Sequence, residues 1–365
     1  MAAPSARDVR SGLIHWFDAH RRDLPWRRTR DPYRILVAEY LLQRTRVASG
    51  APYYERFLAR FPDVRTLASA SEDDVLRAWE GLGFYRRARN LHRAARAIVE
   101  GHGGRVPEGA AVLAELPGIG PYTAGAVASV AFGERVPAVD GNVGRVLARL
   151  YRIETDVTKG EGRERLRTLA RQLVPPSRPG DFNQALMELG ATVCTPRAPR
   201  CRDCPLERLC LARKAGVQAS LPRLAPRRIP ASARVGFGLV ESDGRVLMVR
   251  RSAEGLLGGL WSLPGGEVDT GVDPRESLRA MIHKQAGIRV RVREEVSAIA
   301  HAFSHRRWAG AIYRCEPLDT FAPSEAARWL SPREARDLPL VKFQRQALER
   351  MRTAPRLDIF DGGRS

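Results

Sequence analysis

Four cysteines lie within 17 residues of this chain, in the spacing Cys194-x6-Cys201-x2-Cys204-x5-Cys210. Four thiolates this close together can wrap one metal centre, and both structural zinc and a [4Fe–4S] cluster accept four sulfurs. Zinc sites usually combine two C-x2-C pairs, whereas this run contains one. The spacing therefore favours an iron–sulfur cluster over zinc, held by a loop that brings the four sulfurs together.

The hydrophobic pattern predicts two domains. Apolar residues recur every three or four positions as far as about residue 214, with Pro- and Gly-rich turns between the helical segments. Further along, strand-like runs flank a Ser-Asp-Gly turn. We expect an all-α domain over 1–214, a Pro- and Arg-rich linker over 215–232, and an α+β domain over 233–365.

The net charge of +20 is typical of a protein that contacts phosphate polyanions. Biased genome composition is an alternative source of this charge, because only four of the basic residues are lysines. The chain has no apolar run of about 20 residues and no signal-peptide core at its N-terminus. We expect a monomeric cytoplasmic protein, nucleoid-associated if bacterial, that binds nucleic acid and no membrane.

A glycine-rich turn, Leu116-Pro117-Gly118-Ile119-Gly120, enters a helix of small residues near Tyr122. Backbone N–H groups at such a turn suit a phosphate, although many such turns are only tight connections. Asp140 follows twenty residues after Gly120. Together they resemble the helix–hairpin–helix (about 113–130) and aspartate signature of the endonuclease-III-like DNA glycosylases, whose iron–sulfur loop has the same cysteine spacing. The resemblance covers residues 10 to about 214.

In that superfamily the aspartate has a definite role. Breaking the bond between deoxyribose and base passes through an oxocarbenium-like state, which a nearby carboxylate stabilises. The alternative is a helix N-cap, because Asp140 precedes a helix-like run. The loop between the first two cysteines meets the DNA backbone in the family, and Arg197, Arg200 and Arg202 lie in or beside that loop here.

Glu39 is predicted to project from an apolar helix face. Asp31 and Pro32 have the pattern of an N-cap and a first helical residue, after which Ile35, Glu39 and Leu42 share one face. A carboxyl in such surroundings resists ionisation and suits a general acid near neutral pH. The alternative is a helix-edge glutamate paired with one of the many arginines.

Four motifs resemble the adenine DNA glycosylases: Arg22-Asp23-Leu24-Pro25-Trp26-Arg27, Ala38-Glu39-Tyr40-Leu41-Leu42-Gln43, Gly81-Leu82-Gly83-Phe84-Tyr85 and Phe182-Asn183-Gln184-Ala185. The resemblance implies that Glu39 protonates adenine N7, that Asp140 steadies the cation at the sugar, and that Tyr122 and Asn142 assist. It places around the flipped base Arg22, Leu24, Trp26, Arg27, Leu42 and Gln184. It assigns to DNA contact Gln43, Arg44, Thr45, Phe84, Tyr85, Gly118 and Gly120.

Three positions distinguish members of this superfamily. Tyr122 stands where relatives that cleave the strand have lysine, so we expect base excision without efficient strand cleavage. Arg44 replaces the second glutamine of the family's Gln-Gln-Thr motif. An arginine in this region resembles the T·G-mismatch thymine glycosylases. Phe84 replaces the tyrosine that fills the gap in the base stack, which keeps the aromatic face and loses the hydroxyl.

The C-terminal domain resembles a Nudix hydrolase that has lost its catalytic residues. With Gly266 and Gly287-Ile288 aligned to the Nudix box, Val272, Met281 and Lys284-Gln285 occupy glutamate positions. Those glutamates hold the divalent cations of the hydrolases, so we expect binding without hydrolysis. Phe303-Ser304-His305 matches the loop with which the adenine glycosylases recognise 8-oxoguanine.

The sequence thus predicts a monofunctional glycosylase with a [4Fe–4S] cluster, acting on double-stranded DNA that carries adenine opposite 8-oxoguanine or guanine. Arg44 leaves open a thymine DNA glycosylase acting on T·G mismatches. A non-enzymatic iron–sulfur DNA-binding protein is a further alternative, disfavoured because Glu39 and Asp140 are both present.

Overall fold

The structure is a computed structural model that describes residues 3–43, 45, 47–225, 229–252, 254–269, 271–303, 305–319 and 324–350, excepting the side chains of Lys342 and Arg350. The chain forms two compact units. The first comprises Met1–Ala70 and Arg87–Pro226, and the second comprises Ser71–Arg86 and Arg227–Ser365. The boundary after Pro226 falls inside the segment that the sequence marks as a linker. Residues 71–86, which the sequence places in the N-terminal domain, group instead with the second unit.

The first unit is helical, with short 3₁₀ turns, throughout its described residues. Its helices are α1 (Ala6–His20), α2 (Pro32–Leu42), α3 (Val47–Arg60), α4 (Val64–Ser69), α6 (Arg86–His102), α7 (Ala110–Glu115), α8 (Pro121–Ala131), α9 (Gly141–Leu150), α10 (Gly160–Leu173), α11 (Pro179–Thr192) and α12 (Leu211–Lys214). The first residue of α6, Arg86, is grouped with the second unit. Helix α5 (Glu72–Ala78) belongs to the second unit. Among the described residues, no helix is long and apolar enough to cross a membrane.

The predicted cap of α2 is confirmed. The Asp31 side chain accepts hydrogen bonds from the backbone N–H groups of Tyr33 (2.8 Å) and Arg34 (3.3 Å). Pro32 follows in the first turn, where its missing N–H costs nothing. These local signals start the helix at the position that brings Glu39 onto its buried side.

The predicted helix–hairpin–helix is confirmed and consists of α7, the turn 116–120 and α8. Gly118 has a φ of +75°, and a Cβ at that position would lie 2.4 Å from Asn90 Nδ2. The left-handed backbone and the lack of space both require glycine. The turn therefore enters α8 with exposed backbone at Gly118 and Gly120.

One core cluster of the first unit lies between α1, α9, α10 and α11. Leu13, Phe17, Leu147 and Phe182 are essentially inaccessible there. Cys194, Cys204 and Cys210 pack against the same core, together with buried Leu206. The cysteine loop therefore packs on this core, beside the helix that Asp140 begins.

The second unit is built on a mixed sheet with strand order β3-β2-β1-β6-β5, in which β4 pairs with β1 and β7 with β2. Only β1 and β6 run parallel among the strand pairs of the described residues. The elements are β1 (Ala231–Ser242), β2 (Arg245–Arg250), β3 (Trp261–Ser262), β4 (Gly265–Val268), α13 (Pro274–Ala286), β5 (Val290–Ala302), β6 (Arg306–Pro317), β7 (Ala327–Leu330), α14 (Pro332–Arg336) and α15 (Lys342–Arg350).

Turn chemistry explains two features of this unit. Asp243 (φ 49°) and Gly244 (φ 70°) form the tight turn between β1 and β2, as the sequence predicts. Asp273 caps α13 and Gly287 ends it with a φ of 71°. Helix α13 then buries Leu278 and Ile282 against the sheet, which places Met281, Lys284 and Gln285 of the Nudix box on one helix.

Candidate active site

Glu39 lies on α2 and is half-buried. Burial raises the pKa of Glu39 to about 7, the negative charge of Asp140 adds to the rise, and a hydrogen bond from Tyr122 opposes it. The sequence prediction that this carboxyl resists ionisation is confirmed. A carboxylic acid with this pKa is substantially protonated at neutral pH and can donate that proton.

Tyr122 lies in the first turn of α8. Burial and the neighbouring carboxyl groups raise the pKa of Tyr122 well above its ordinary value, so its hydroxyl keeps its proton. That hydroxyl also lies 3.6 Å from the sulfur of Met187. Tyr122 is therefore neutral, and its hydroxyl, which donates to Met187 Sδ, also lies close enough to Glu39 to interact with its carboxyl group.

Asp140 occupies the N-cap of α9. Its Oδ1 accepts from the backbone N–H of Val143 (2.7 Å) and its Oδ2 accepts from Asn142 Nδ2 (2.7 Å). Burial raises the pKa of Asp140, and these hydrogen bonds counteract part of the rise. The capping function that the sequence offers as an alternative is present, and it holds the carboxyl in one orientation near Glu39. The structure thus brings together Glu39, Tyr122, Asp140 and Asn142.

Asn183 positions the chain that leads into Asp140, a role that sequence reasoning missed. This side chain is 1% exposed, and its Oδ1 accepts from the backbone N–H of Ala138 (3.2 Å). Its Nδ2 donates to Val136 O and to Ser129 Oγ, both at 2.9 Å. Every polar atom of the amide is used, so the approach to Asp140 is fixed from α11.

Glu188 holds the two arginines that the resemblance places around the flipped base. It is 1% exposed on α11 and accepts from Arg22 Nε (2.6 Å), Arg22 Nη2 (2.7 Å) and Arg27 Nη2 (2.9 Å). Burial would raise the pKa of Glu188, but the hydrogen bonds and charges of the two arginines lower it to about 2. Sequence reasoning missed this residue, although a lone acid within an apolar helix calls for a cationic partner.

We expect Glu188→Gln to lower the free energy of unfolding by about 3 kcal/mol, because two arginines lose a buried counter-charge. The carboxylate stabilises the fold fully above its unfolded pKa near 4.5, and this contribution disappears as the pH falls through about 2. Urea unfolding at pH 7 measures the loss. Glu164→Gln, which breaks an exposed pair with Arg171, is the control and should cost less than about 1 kcal/mol. Equal losses in the two variants would contradict the role of Glu188.

The other predicted pocket residues are buried to different degrees. Leu24 and Trp26 are each 9% exposed, and the Trp26 ring meets Tyr54 edge-on at 5.5 Å. Leu42 and Gln184 are partly exposed.

The end of α2 is held by an arginine that the sequence did not single out. Arg87 Nη1 donates to the backbone carbonyls of Tyr40 and Leu41, both at 3.1 Å, and to that of Gln43. It also contacts Thr45 Oγ1 at 3.4 Å. A buried cation at a helix C-terminus stabilises the terminal carbonyls. Gln43 in turn donates to Thr123 Oγ1 on α8 (3.3 Å). Arg44 lies outside the described residues.

The two aromatic residues predicted to contact DNA in the segment 81–85 are placed differently. Phe84 is 44% exposed and has a φ of 48°, which is unusual for a residue with a side chain. Tyr85 is only 8% exposed, and its hydroxyl donates to Leu340 O at 3.5 Å. The Tyr85 ring thus packs inside the second unit, and Phe84 is the aromatic residue that the surface presents. Contact of Tyr85 with DNA stays a prediction.

The four cysteines line one cavity, and all five described cysteines are free of disulfides. Arg149, 2% exposed, donates from Nη1 to Cys194 Sγ (3.3 Å) and to Thr195 O (2.7 Å). Within the described ranges, no three metal-binding side chains converge on a point that would hold a single ion. An iron–sulfur cluster binds each cysteine to a different iron, so its sulfurs surround a volume instead. The donor set fits such a cluster.

Helix α9 connects this loop to Asp140. Arg145 Nε donates to Cys194 O (2.8 Å), and its Nη2 donates to Asn142 Oδ1 (2.8 Å) and Gly190 O (2.8 Å). Asn142 is also the residue that donates to Asp140. The cysteine loop and the Asp140 carboxyl are therefore braced by one hydrogen-bond network. The arginines predicted to meet phosphates, Arg197, Arg200 and Arg202, are all exposed.

In the second unit, the positions at which the Nudix box has glutamates carry side chains of other types. The Gln285 side chain accepts from the backbone N–H of Gly265 (2.8 Å) and donates to its carbonyl (3.0 Å). Lys284 is exposed, and Val272 is an exposed apolar residue. None of these side chains supplies an anionic oxygen for a divalent cation. Residues 303–305 connect β5 to β6, with Phe303 edge-on to Trp308 at 5.0 Å and His305 exposed. Ser304 lies outside the described residues.

Comparison with known proteins agrees with this arrangement. Residues 37–172 match the family model "HhH-GPD superfamily base excision DNA repair protein", and residues 235–350 match "NUDIX domain". The adenine DNA glycosylase of Rattus norvegicus is 37% identical, over 90% of this chain and 75% of its own. That of Mycobacterium tuberculosis is 42% identical, over 67% of this chain and 79% of its own. The solved structure of a thermostable thymine-DNA glycosylase is 32% identical with a TM-score of 0.53. The match covers 57% of this chain and 97% of that one.

The fold and the family matches therefore define a helix–hairpin–helix base-excision DNA glycosylase, followed by a Nudix domain. The sequence similarity to the adenine DNA glycosylases extends across both domains. The chain belongs to the adenine DNA glycosylase family.

Proposed function

We propose that this enzyme excises adenine from duplex DNA in which the adenine lies opposite 8-oxoguanine or guanine, by hydrolysing the bond between the base and the deoxyribose. The observation that carries the proposal is the carboxyl pair, with Glu39 held near a pKa of 7 beside the capped Asp140. A purine leaves readily only when protonated, so an acid that is protonated at neutral pH suits adenine. Thymine has no ring nitrogen equivalent to N7 to accept that proton.

The chemistry divides between the two carboxyl groups. Glu39 donates its proton to N7, with its orientation set by the Tyr122 hydroxyl. As the glycosidic bond breaks, its electron pair leaves with the protonated adenine, and the Asp140 carboxylate stabilises the positive charge that develops at the sugar. A water molecule then adds to the sugar carbon C1′ and loses a proton, which leaves an abasic site. The Glu188 pair holds Arg22 and Arg27 in fixed orientations for the base. Tyr122 provides no amine, so no Schiff base forms at this position and the strand remains intact.

We propose that Cys194, Cys201, Cys204 and Cys210 hold a [4Fe–4S] cluster, which would brace the loop on which they lie. Burial raises the pKa of Cys204 to about 12, so its thiolate requires a positive partner such as iron. Arg149 places a further positive charge beside Cys194. Arg197, Arg200 and Arg202 on this loop would then contact DNA phosphates.

We propose that the second unit recognises the base opposite adenine and does not hydrolyse nucleotides. The Gln285 amide already satisfies Gly265, and Lys284 cannot replace an anionic ligand. Nucleoside triphosphates with Mg²⁺ should therefore release no pyrophosphate above the uncatalysed rate. Rapid release would show that a metal site survives.

A single assay tests the excision activity. Purified protein is incubated with duplexes that carry A·8-oxoG, A·G or T·G, and each sample is analysed with and without alkali. We expect cleavage at adenine only after alkali and no product trapped by borohydride. Cleavage at thymine alone would support the thymine glycosylase, for which the structural likeness to such an enzyme is the supporting observation. Cleavage nowhere would support a binding protein, and cleavage without alkali would overturn the monofunctional mechanism.

A further inference from the structure

Side chains along its whole length attach the segment 71–86 to the rest of the second unit. Asp73 accepts from Arg250 Nη2 (3.0 Å) and from the indole N–H of Trp261 (3.3 Å), which is 2% exposed. Glu80 accepts two hydrogen bonds from Arg345 on α15, of which the one from Nε measures 2.5 Å. Tyr85 adds its contact with Leu340 O. The segment is thus held at its start, its middle and its end.

The loop between Glu80 and Tyr85 has a constrained backbone. Gly81, Gly83 and Phe84 all have positive φ values, of 93°, 65° and 48°. The indole of Trp79, which is inaccessible to solvent, donates to Gly83 O at 3.1 Å. A bulky residue in the left-handed region persists only where its surroundings impose it. Here they present Phe84, at 44% exposure, on a fixed loop.

Helix α15 touches the support of the other DNA-probing loop as well. The Phe343 ring lies 5.7 Å from that of His301 and 6.4 Å from that of Trp308. Those two rings flank Phe303, at 4.5 Å and 5.0 Å. Two residues further along α15, Arg345 is fixed by the backbone carbonyls of Arg336 and Leu338 before it meets Glu80. One helix therefore contacts both the loop of Phe84 and the base of the loop 303–305.

We propose that α15, through Arg345 and Glu80, couples insertion of Phe84 into the base stack to recognition of the opposite base by the loop 303–305. The inference rests on the proposed function, because it takes that loop as the reader of 8-oxoguanine. The Arg345 and Glu80 side chains are 24% and 23% exposed, so water screens their interaction little. Arg345 is a positioning residue: it touches neither DNA nor the reacting atoms.

The test uses the full chain and the variants Arg345→Met, Glu80→Gln and the double variant, with Arg345→Lys keeping the charge without the two-point contact. The matched controls, Arg314→Met and Glu241→Gln, break a 3.0 Å ion pair on the sheet of the same unit. Two quantities are measured: the fluorescence of 2-aminopurine placed beside the mispair, which reports unstacking, and the ratio of single-turnover adenine release from A·8-oxoG to that from A·G. Circular dichroism verifies folding.

We expect each single variant to lower the A·8-oxoG to A·G ratio by about 2- to 30-fold and to suppress the fluorescence change. The double variant should lose no more than either single one, Arg345→Lys should lose less, and the controls should match the wild type. Unchanged ratio and fluorescence in the folded single variants, with Phe84→Ala altering both, would overturn the coupling. A wild-type protein that releases no adenine from either duplex would overturn the proposed function, and the fluorescence measurement would still decide on the coupling.

Discussion

Glu39→Gln is expected to lower single-turnover adenine release by at least about 100-fold and, at the same time, to stabilise the protein. Glutamine keeps the volume and a hydrogen-bonding oxygen for Tyr122, but it has no acidic proton for the base. General acids contribute about 10²- to 10⁴-fold to rate. Adenine without that proton is a poor leaving group, so the loss should lie toward the upper end of this range.

The gain in stability follows from the direction of the pKa shift. Because burial raises the pKa of Glu39 to about 7, the folded chain retains a proton that the unfolded chain releases near 4.5. The folded state is therefore penalised as the pH rises from about 4.5 to 7, by up to about 3 kcal/mol above pH 7. Urea unfolding at pH 8 should show Glu39→Gln to be more stable than the wild type, with little difference at pH 4. The exposed Glu161→Gln is the control and should change neither rate nor stability. A variant that is inactive and less stable at both pH values would contradict this interpretation.

Asp140→Asn should lower adenine release by about 10²- to 10³-fold without disrupting α9. Asparagine is as good an N-cap as aspartate, so its oxygen can still accept from the Val143 N–H. What disappears is the negative charge that faces the sugar in the transition state. This substitution thus separates the capping function of Asp140 from its proposed catalytic function.

A matched control exists elsewhere in the same unit. Asp63 caps α4 by accepting from Thr66 N (2.8 Å), so Asp63→Asn makes the same change at an exposed cap. Rates are compared by single-turnover assay and helix content by circular dichroism. Asp63→Asn should leave the rate unchanged. If Asp140→Asn also retained its rate, the carboxylate would be only a cap.

Much of this site follows from local sequence signals. The three- and four-residue spacing around Glu39, with Asp31 and Pro32 at the start, fixes which face of α2 is buried, and burial then sets the pKa of the acid. The glycine at 118 is required by a turn whose backbone excludes a Cβ. Near residue 233 the apolar residues stop recurring every three or four positions and begin to alternate. A helical period thus gives way to a strand period, and this change predicts the second domain.

The remainder depends on contacts between residues distant in sequence. Glu188 contacts Arg22 and Arg27, which lie 166 and 161 positions earlier in the sequence, and no periodicity marks that pairing. The grouping of residues 71–86 with the second unit depends on ion pairs such as Glu80 with Arg345, 265 positions apart. Tyr85 follows an exposed aromatic residue in sequence, and only the packing of the second unit makes it a buried one. Such contacts are set by tertiary structure, which local propensity does not encode.

The central claim is that a protonated Glu39 acts beside an ionised Asp140, and the pH dependence of single-turnover adenine release from an A·8-oxoG duplex tests it most directly. The rate should be greatest where both conditions hold. It should fall as the pH rises through about 7, where Glu39 loses its proton, and fall again in acid, as Asp140, whose pKa is raised above its ordinary value, becomes protonated. Glu39→Gln should lose the limb near pH 7. A wild-type rate that stays constant from pH 6 to pH 9 would contradict the claim.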